Sequence, residues 1–343
     1  AKMKVAMYYS QQDIRIEETQ TPKIGEDEVL VKMKACGICG SDLMEWYLKT
    51  RAPLVLGHEP AGIIIEKGAA AYGFEIGDRV FVHHHVACQE CDYCMRGDYT
   101  MCSQFHETNI KPGGFAQYFK VPSPNLRLDT LKIPETLSFE EATLIEPIGC
   151  CLRALRKCNV QKGSNIAIVG AGTTGLIQIA LAKIHGASMV FSSDLLDYRL
   201  EVARKYGAEV VVDVRKENLA EVVHSHTHGK GADVVVVTAP SLKAYEDGLK
   251  ACRKGGTLCV FAPTGPGELL QISPKELFFS EIHIIPSYST SHLETRAALE
   301  LIESGKLDVK ALITHRFRLE ETAKAFETAR ECRKSLKVVV FDE

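Results

Sequence analysis

The chain has 343 residues, of which 45% are apolar and 25% charged, and its formal net charge is −3. That composition is ordinary for a globular protein and the length suits two domains. It excludes the basic field a nucleic-acid or anionic-membrane partner needs, and no run of about 18 apolar residues suggests a membrane span. The first residues, Ala1 to Tyr9, lack the apolar centre and cleavage site of a secretory leader. Twelve cysteines in an unsecreted chain then read as metal ligands and packed thiols, with the cytoplasm as the expected compartment.

Residues 1–151 read as a β-rich, irregular region. Extended runs (Val29 to Lys34, Gly62 to Lys67, Arg79 to Val82) are separated by turn chemistry at Pro22, Gly25, Gly57 and Gly77-Asp78, and later at Pro112-Gly113-Gly114 and Pro122-Ser123-Pro124. From residue 152 the pattern becomes strand–helix alternation. Strands are expected at Ile166–Gly170, Met189–Asp194, Val210–Asp213, Asp233–Thr238, Gly256–Phe261 and Ile282–Ser287, with helices over Leu176–His185 and around Arg199–Tyr206. Continuous β-branched runs mark strands covered on both faces, so an α/β class with a doubly wound parallel sheet is expected over 152–287. The tail, 288–343, carries helical patterns at Leu293–Ser304 and Glu320–Arg330 and a last strand from Lys337. A terminal strand needs a sheet, and we expect it to return to the first domain and make that domain discontinuous.

Four cysteines, Cys88, Cys91, Cys94 and Cys102, lie in one short loop. Four sulfurs fill a tetrahedral zinc and leave no place for a substrate, so a structural lobe is expected over 88–102. A zinc knuckle for nucleic acid has similar spacing, but Glu90, Asp92 and Asp98 make this loop acidic. A second candidate is built differently. Cys39, His58 and Glu59 offer one thiolate, one imidazole and one carboxylate, which leave a zinc position open. Spacing alone also suits a surface His–Glu pair and a buried thiol. Glu146 is a carboxylate in an otherwise apolar segment and needs a partner if buried.

Gly170, Gly172 and Gly175 form G-x-G-x-x-G after a strand and at the start of a helix, with Asp194 ending the next strand. This is the pattern of a dinucleotide turn, in which Thr173, Thr174 and, from a neighbouring strand, Thr238 are further candidates. Asp194 suits the ribose hydroxyls of NAD and repels the extra phosphate of NADP, so NAD is favoured. Arg199 either lies along the adenine or softens that repulsion.

Together these motifs resemble the zinc-containing medium-chain dehydrogenase/reductases across nearly the whole chain. The likeness rests on Cys39-Gly-Ser-Asp42, Gly57-His-Glu-x-x-Gly62 continuing to Gly68, the four-cysteine lobe, the glycine turn and Glu146-Pro147. The variants look closest to the polyol (sorbitol-like) and threonine dehydrogenase branch. The resemblance implies a Rossmann domain, a GroES-like catalytic domain, and a homotetramer or homodimer. It also implies two zinc ions per chain, the catalytic one held by Cys39, His58 and either Glu59 or Glu146. The implied reaction is oxidation of a secondary alcohol (a polyol, sugar alcohol, vicinal diol or amino alcohol), with Ser41 taking the hydroxyl proton and NAD the hydride. The alternative is a zinc aldehyde or ketone reductase using NADPH. Two departures count against a strict sorbitol reading. Met44 stands where many relatives have a histidine, and no arginine stands near Ser287-Tyr288-Ser289.

Other residues carry weaker readings. His83, His84 and His85 follow a strand, so alternation would send them to opposite faces, with His85 the candidate to border the site. His224, His226 and His228 read as a solvated helix end. Trp46, Tyr47, Phe105 and His106 are core or substrate wall, and Lys337 is a candidate to reach the cofactor.

Overall fold

The computed structural model describes all residues, Ala1 to Glu343. Contacts divide them into two compact units, Ala1–Gly149 with Thr290–Glu343, and Cys150–Ser289.

The second unit is a parallel sheet. Its strands lie in the order Val210–Asp213, Met189–Asp194, Asn165–Val169, Ala232–Val237, Cys252–Val260, His283–Pro286. Every adjacent pair is parallel. The first three strands in the chain run outward in one direction and the next three in the other. The order therefore reverses between Asn165–Val169 and Ala232–Val237, and a ligand is received beyond the strand ends at such a reversal. The β-branched runs explain the sheet: Ile166, Ile168, Val190, Val235 and Val236 are all fully buried. This is the Rossmann arrangement.

The first unit is β-rich. Its larger sheet runs Ile313–Arg318, Lys337–Phe341, Val29–Gly37, Pro60–Lys67, Arg79–Val82, Thr130–Lys132, and Tyr118–Val121 also pairs with Val29–Gly37. A smaller sheet joins Lys2–Ser10 to Asp13–Gln20 and Leu54–Val55. Met33, Ile64, Phe115, Phe119 and Phe326 pack between these elements. The tail strand pairs antiparallel with Val29–Gly37, placing Val339 opposite Gly37 and Val340 opposite Cys36. The domain is discontinuous for that reason: its central strand is bordered by the last strand of the chain.

One element differs from the sequence expectations, and two others were not anticipated there. Pro122 and Pro124 mark a helix start, not a loop. Pro122 precedes Ser123–Asp129 and Pro124 sits in its first turn, where a missing N–H costs nothing. The segment holding Glu146 is helical, Ile145–Lys157. A strand at Ile313–Arg318, polar on alternate positions, completes the edge of the larger sheet. No helix is long and apolar enough to cross a membrane.

Candidate metal centres and dinucleotide site

In the four-cysteine lobe, all four sulfurs lie within 4.8 Å of one another. The loop directs its own amides at them. The N–H of Cys88 donates to Cys102 Sγ and that of Gln89 to Cys94 Sγ, both at 3.3 Å. Cys88 Sγ accepts from the amides of Glu90 at 3.4 Å and Cys91 at 3.3 Å. Those two amides hold the Cys88 thiol down to about 7. A cluster of sulfurs with amide donors suits a closed zinc, and Cys94, Cys102 and Phe105 form a small core around it.

The second cluster draws on several segments. Cys39 ends the loop after strand Val29–Gly37 and precedes the short helix Gly40–Leu43; His58 and Glu59 precede strand Pro60–Lys67. Their ligand atoms also lie within 4.8 Å of one another. Asp42, buried, organises the first two. Its Oδ2 accepts from the Cys39 amide at 2.9 Å, and its Oδ1 is 3.6 Å from His58 Nδ1. With Nδ1 turned toward Asp42, Nε2 of His58 is the nitrogen free to meet a metal. Glu59 is fully buried. Its Oε1 accepts from Lys337 Nζ at 2.6 Å, while Oε2 has no partner. A side chain on Gly37 would come within 2.3 Å of that carboxylate, so glycine makes its space. An orphaned, buried carboxylate oxygen beside a thiol and an imidazole nitrogen is what a divalent cation would satisfy.

The local charges agree. Burial lowers the pKa of His58, but Asp42, Cys39 and Glu146 outweigh it and hold the ring well above an ordinary histidine when no metal is bound. Burial likewise works against the Lys337 ammonium, and Glu59 and Cys39 more than offset it. Glu146, itself buried, acts on both groups but lies outside the three-ligand cluster. Acidic side chains, Asp42, Glu59 and Glu146, thus gather around the His58 ring and the Lys337 ammonium, and a bound cation would share that acidic environment.

In the second unit, Gly170 follows strand Asn165–Val169 with φ +105°, and Gly172 caps helix Thr173–Ile184. A side chain on Gly175 would meet Gly170 O at 1.9 Å, so strand and helix close only on glycine. Thr238 Oγ1 fixes the same turn by donating to Val169 O at 2.9 Å. Asp194 Oδ2 accepts from the Ala171 amide at 2.7 Å, and Oδ1 accepts from Leu195 at 2.8 Å and Leu196 at 3.0 Å. Arg199 stands over the turn, with Nη1 3.3 Å from where a side chain on Gly172 would begin.

Residues 25–135 match the model of the alcohol dehydrogenase GroES-like domain, and residues 173–304 that of the zinc-binding dehydrogenase domain. The sorbitol dehydrogenase of Bacillus subtilis (strain 168) is 36% identical over 99% of this chain and 97% of its own. The chain belongs to the zinc-binding alcohol dehydrogenase family. The L-threonine 3-dehydrogenase of Pyrococcus horikoshii is 35% identical over 91% of each chain. Among solved structures, a Sinorhizobium meliloti 1021 protein described as a zinc-binding dehydrogenase, with NADP bound, superposes with a TM-score of 0.88. It covers 100% of both chains at 27% identity.

For a zinc-binding alcohol dehydrogenase, two of the weaker sequence readings need correction. Strand Arg79–Val82 ends before the histidines, so alternation does not apply to them. His83 is buried against Asp129 at 2.8 Å. His85 turns its Nδ1 to Thr108 O at 2.6 Å. It is His84, not His85, whose ring packs beside His58, 4.9 Å between centroids. Burial and the neighbouring histidines push His84 well below an ordinary histidine. Lys337, named above only as a candidate to reach the cofactor, is buried, and its Nζ donates to Glu59 Oε1 and to Ile38 O. The sequence carried a signal for this: a lysine leading the apolar run Val338–Val340 must find a buried acid.

Proposed function

We propose that the protein oxidises a secondary alcohol (polyol, sugar alcohol, vicinal diol or amino alcohol) to a ketone, with NAD as the hydride acceptor. The observation that carries this reading is the partnerless Glu59 Oε2 beside the Cys39 thiol and His58. Zinc on Cys39, His58 and Glu59 would supply Lewis-acid polarisation of the alcohol oxygen, and the dinucleotide would supply the redox chemistry. A second zinc would sit on Cys88, Cys91, Cys94 and Cys102.

The chain's own residues have separable tasks. Asp42 orients both Cys39 and His58, and Lys337 fixes one oxygen of Glu59 so that the other is presented. Glu146 is the second carboxylate of the site and an alternative ligand. Ser41, two residues after Cys39, takes the hydroxyl proton on Oγ. The amides at the start of helix Thr173–Ile184, with Thr173 and Thr174, receive the pyrophosphate, and Arg199 adds a positive charge over the same turn. Asp194, fixed by three amides, accepts the ribose hydroxyls and disfavours a 2′-phosphate.

Phe278 and Phe279 are exposed on helix Pro274–Ser280, which leads into the edge strand His283–Pro286, and this supports assembly into a homodimer or homotetramer. The expected compartment is the cytoplasm, where zinc-binding thiols stay reduced. The test is a panel of diols, polyols, hydroxy amino acids and simple alcohols with NAD and with NADP, read by nicotinamide absorbance, on enzyme of known zinc content. No turnover of any alcohol by fully metallated enzyme would end this reading.

A further inference from the structure

The reaction scheme leaves His84 unused, although the fold holds it in place beside a metal-cluster residue. Asn125 Nδ2 donates to His83 O at 3.0 Å and to His84 O at 2.8 Å. His83, fully buried, is clamped by Asp129 at 2.8 Å, and the other Asp129 oxygen accepts from Thr295 Oγ1 at 2.7 Å. None of these anchors is a member of the metal cluster. They fix the backbone on both sides of His84, and its ring then lies 4.9 Å from that of His58 and 4.0 Å from that of His85.

The two nitrogens of His84 differ. Nδ1 is sealed from solvent and has no partner, while Nε2 is not among the sealed atoms. An orphaned N–H is rarer in protein interiors than an under-used acceptor, so the sealed Nδ1 is the nitrogen left as a bare acceptor. The proton therefore resides on Nε2, and the ring presents an N–H donor on its accessible side.

We propose that His84 is a specificity-determining residue whose Nε2–H donates to a second substrate oxygen, on the carbon next to the one oxidised. This rests on the alcohol-oxidation reading and narrows it. A hydroxyl there offers lone pairs to the donor. An ammonium offers only protons and is repelled. Once a bound substrate covers this donor, leaving it without an acceptor also penalises a substrate lacking that oxygen. The substrate class is then a vicinal diol or polyol, not a vicinal amino alcohol.

The test compares the zinc-loaded enzyme with His84→Phe and His84→Gln, using butane-2,3-diol, butan-2-ol and L-threonine with NAD. A second readout needs no turnover: calorimetric binding of 2,3-dimethylbutane-2,3-diol, a tertiary diol that cannot be oxidised. In wild type the diol should be the best of the three substrates. His84→Phe should raise KM for the diol and the Kd of the tertiary diol by about tenfold, the scale of one hydrogen bond, with kcat nearly unchanged. Butan-2-ol kinetics should stay within about twofold, and His84→Gln, which keeps an N–H donor, should recover most of the loss. If His84→Phe loses zinc, the smaller His84→Leu carries the same comparison. Equal effects on diol and mono-alcohol, no effect on tertiary-diol binding, or a wild-type preference for threonine would each overturn the proposal. Inactivity of wild type toward every alcohol would sink the parent reading instead, and tertiary-diol binding would still decide the role of His84.

Discussion

The two candidate metal clusters of the first unit are made by opposite strategies. The lobe at 88–102 takes four like ligands from one loop, and the loop's own amides donate to the sulfurs. The Cys39–His58–Glu59 cluster takes three unlike ligands from two segments, Cys39 on one and the adjacent His58 and Glu59 on the other, and depends on Asp42 and Lys337 for its geometry. A local cluster can be satisfied by short-range folding and has only a structural task. A dispersed one needs the whole unit, and its mixed donors leave room for chemistry. The lesson is that ligand identity follows function, and the sequence distance between ligands tells how much of the fold each site commits.

The sharpest way to break this contrast is a reciprocal pair of substitutions. Cys39→Ser should lose one zinc and at least about 1000-fold in kcat/KM, roughly 4 kcal/mol, with little change in thermal midpoint. Cys94→Ser should lose the other zinc and lower the midpoint by roughly 5–10 °C. Metal analysis with calorimetry checks both, and a shared loss of both ions from either variant would erase the distinction.

Next in size is Lys337→Met. It leaves the Glu59 carboxylate buried without its cation, at a cost of about 3 kcal/mol in the chelator-treated protein. Zinc should return part of that loss. Urea midpoints with and without chelator report it, and an identical loss in both states would mean that the metal does not neutralise Glu59.

A smaller effect sharpens the role of the histidine run. Burial holds His85 down to about 4, against an ordinary 6.5. Between those values the unfolded chain binds a proton that the folded chain refuses, so stability falls as pH drops from 6.5 toward 4. The slope should amount to about 2 kcal/mol, less than the full shift because the ring is partly exposed, and His85→Asn should remove it. The smallest change concerns the second unit: Asp194→Ala should move the NAD-to-NADP ratio of kcat/KM by about tenfold toward NADP, roughly 1.4 kcal/mol. An unmoved ratio would take Asp194 out of the cofactor's reach.

What could be read from the sequence tracks the same division between local and dispersed. The lobe and the glycine turn were legible because neighbouring residues dictate their geometry. Cys39, His58 and Glu59 were legible as ligand types. The pairing of Lys337 with Glu59 was signalled only in kind, and the residues that hold the histidine run, Asn125, Asp129 and Thr295, were not legible, because each acts across a long stretch of chain. The histidine run was misread for a local reason: the period-two rule was carried past Val82, where the strand stops. The proline pair at 122 and 124 misled because the same residues serve turns and helix starts.

Glu59 and its ammonium partner Lys337 are 278 positions apart. At roughly 5–20 residues per second, a ribosome makes the acid roughly 15 to 55 s before the base that neutralises it. Through that interval the nascent first unit lacks the strand that borders its central one, and the acid has no fixed counter-charge. Completion of the reactive centre is therefore a late event in biosynthesis, whereas the sulfur lobe can capture its ion while translation is still under way.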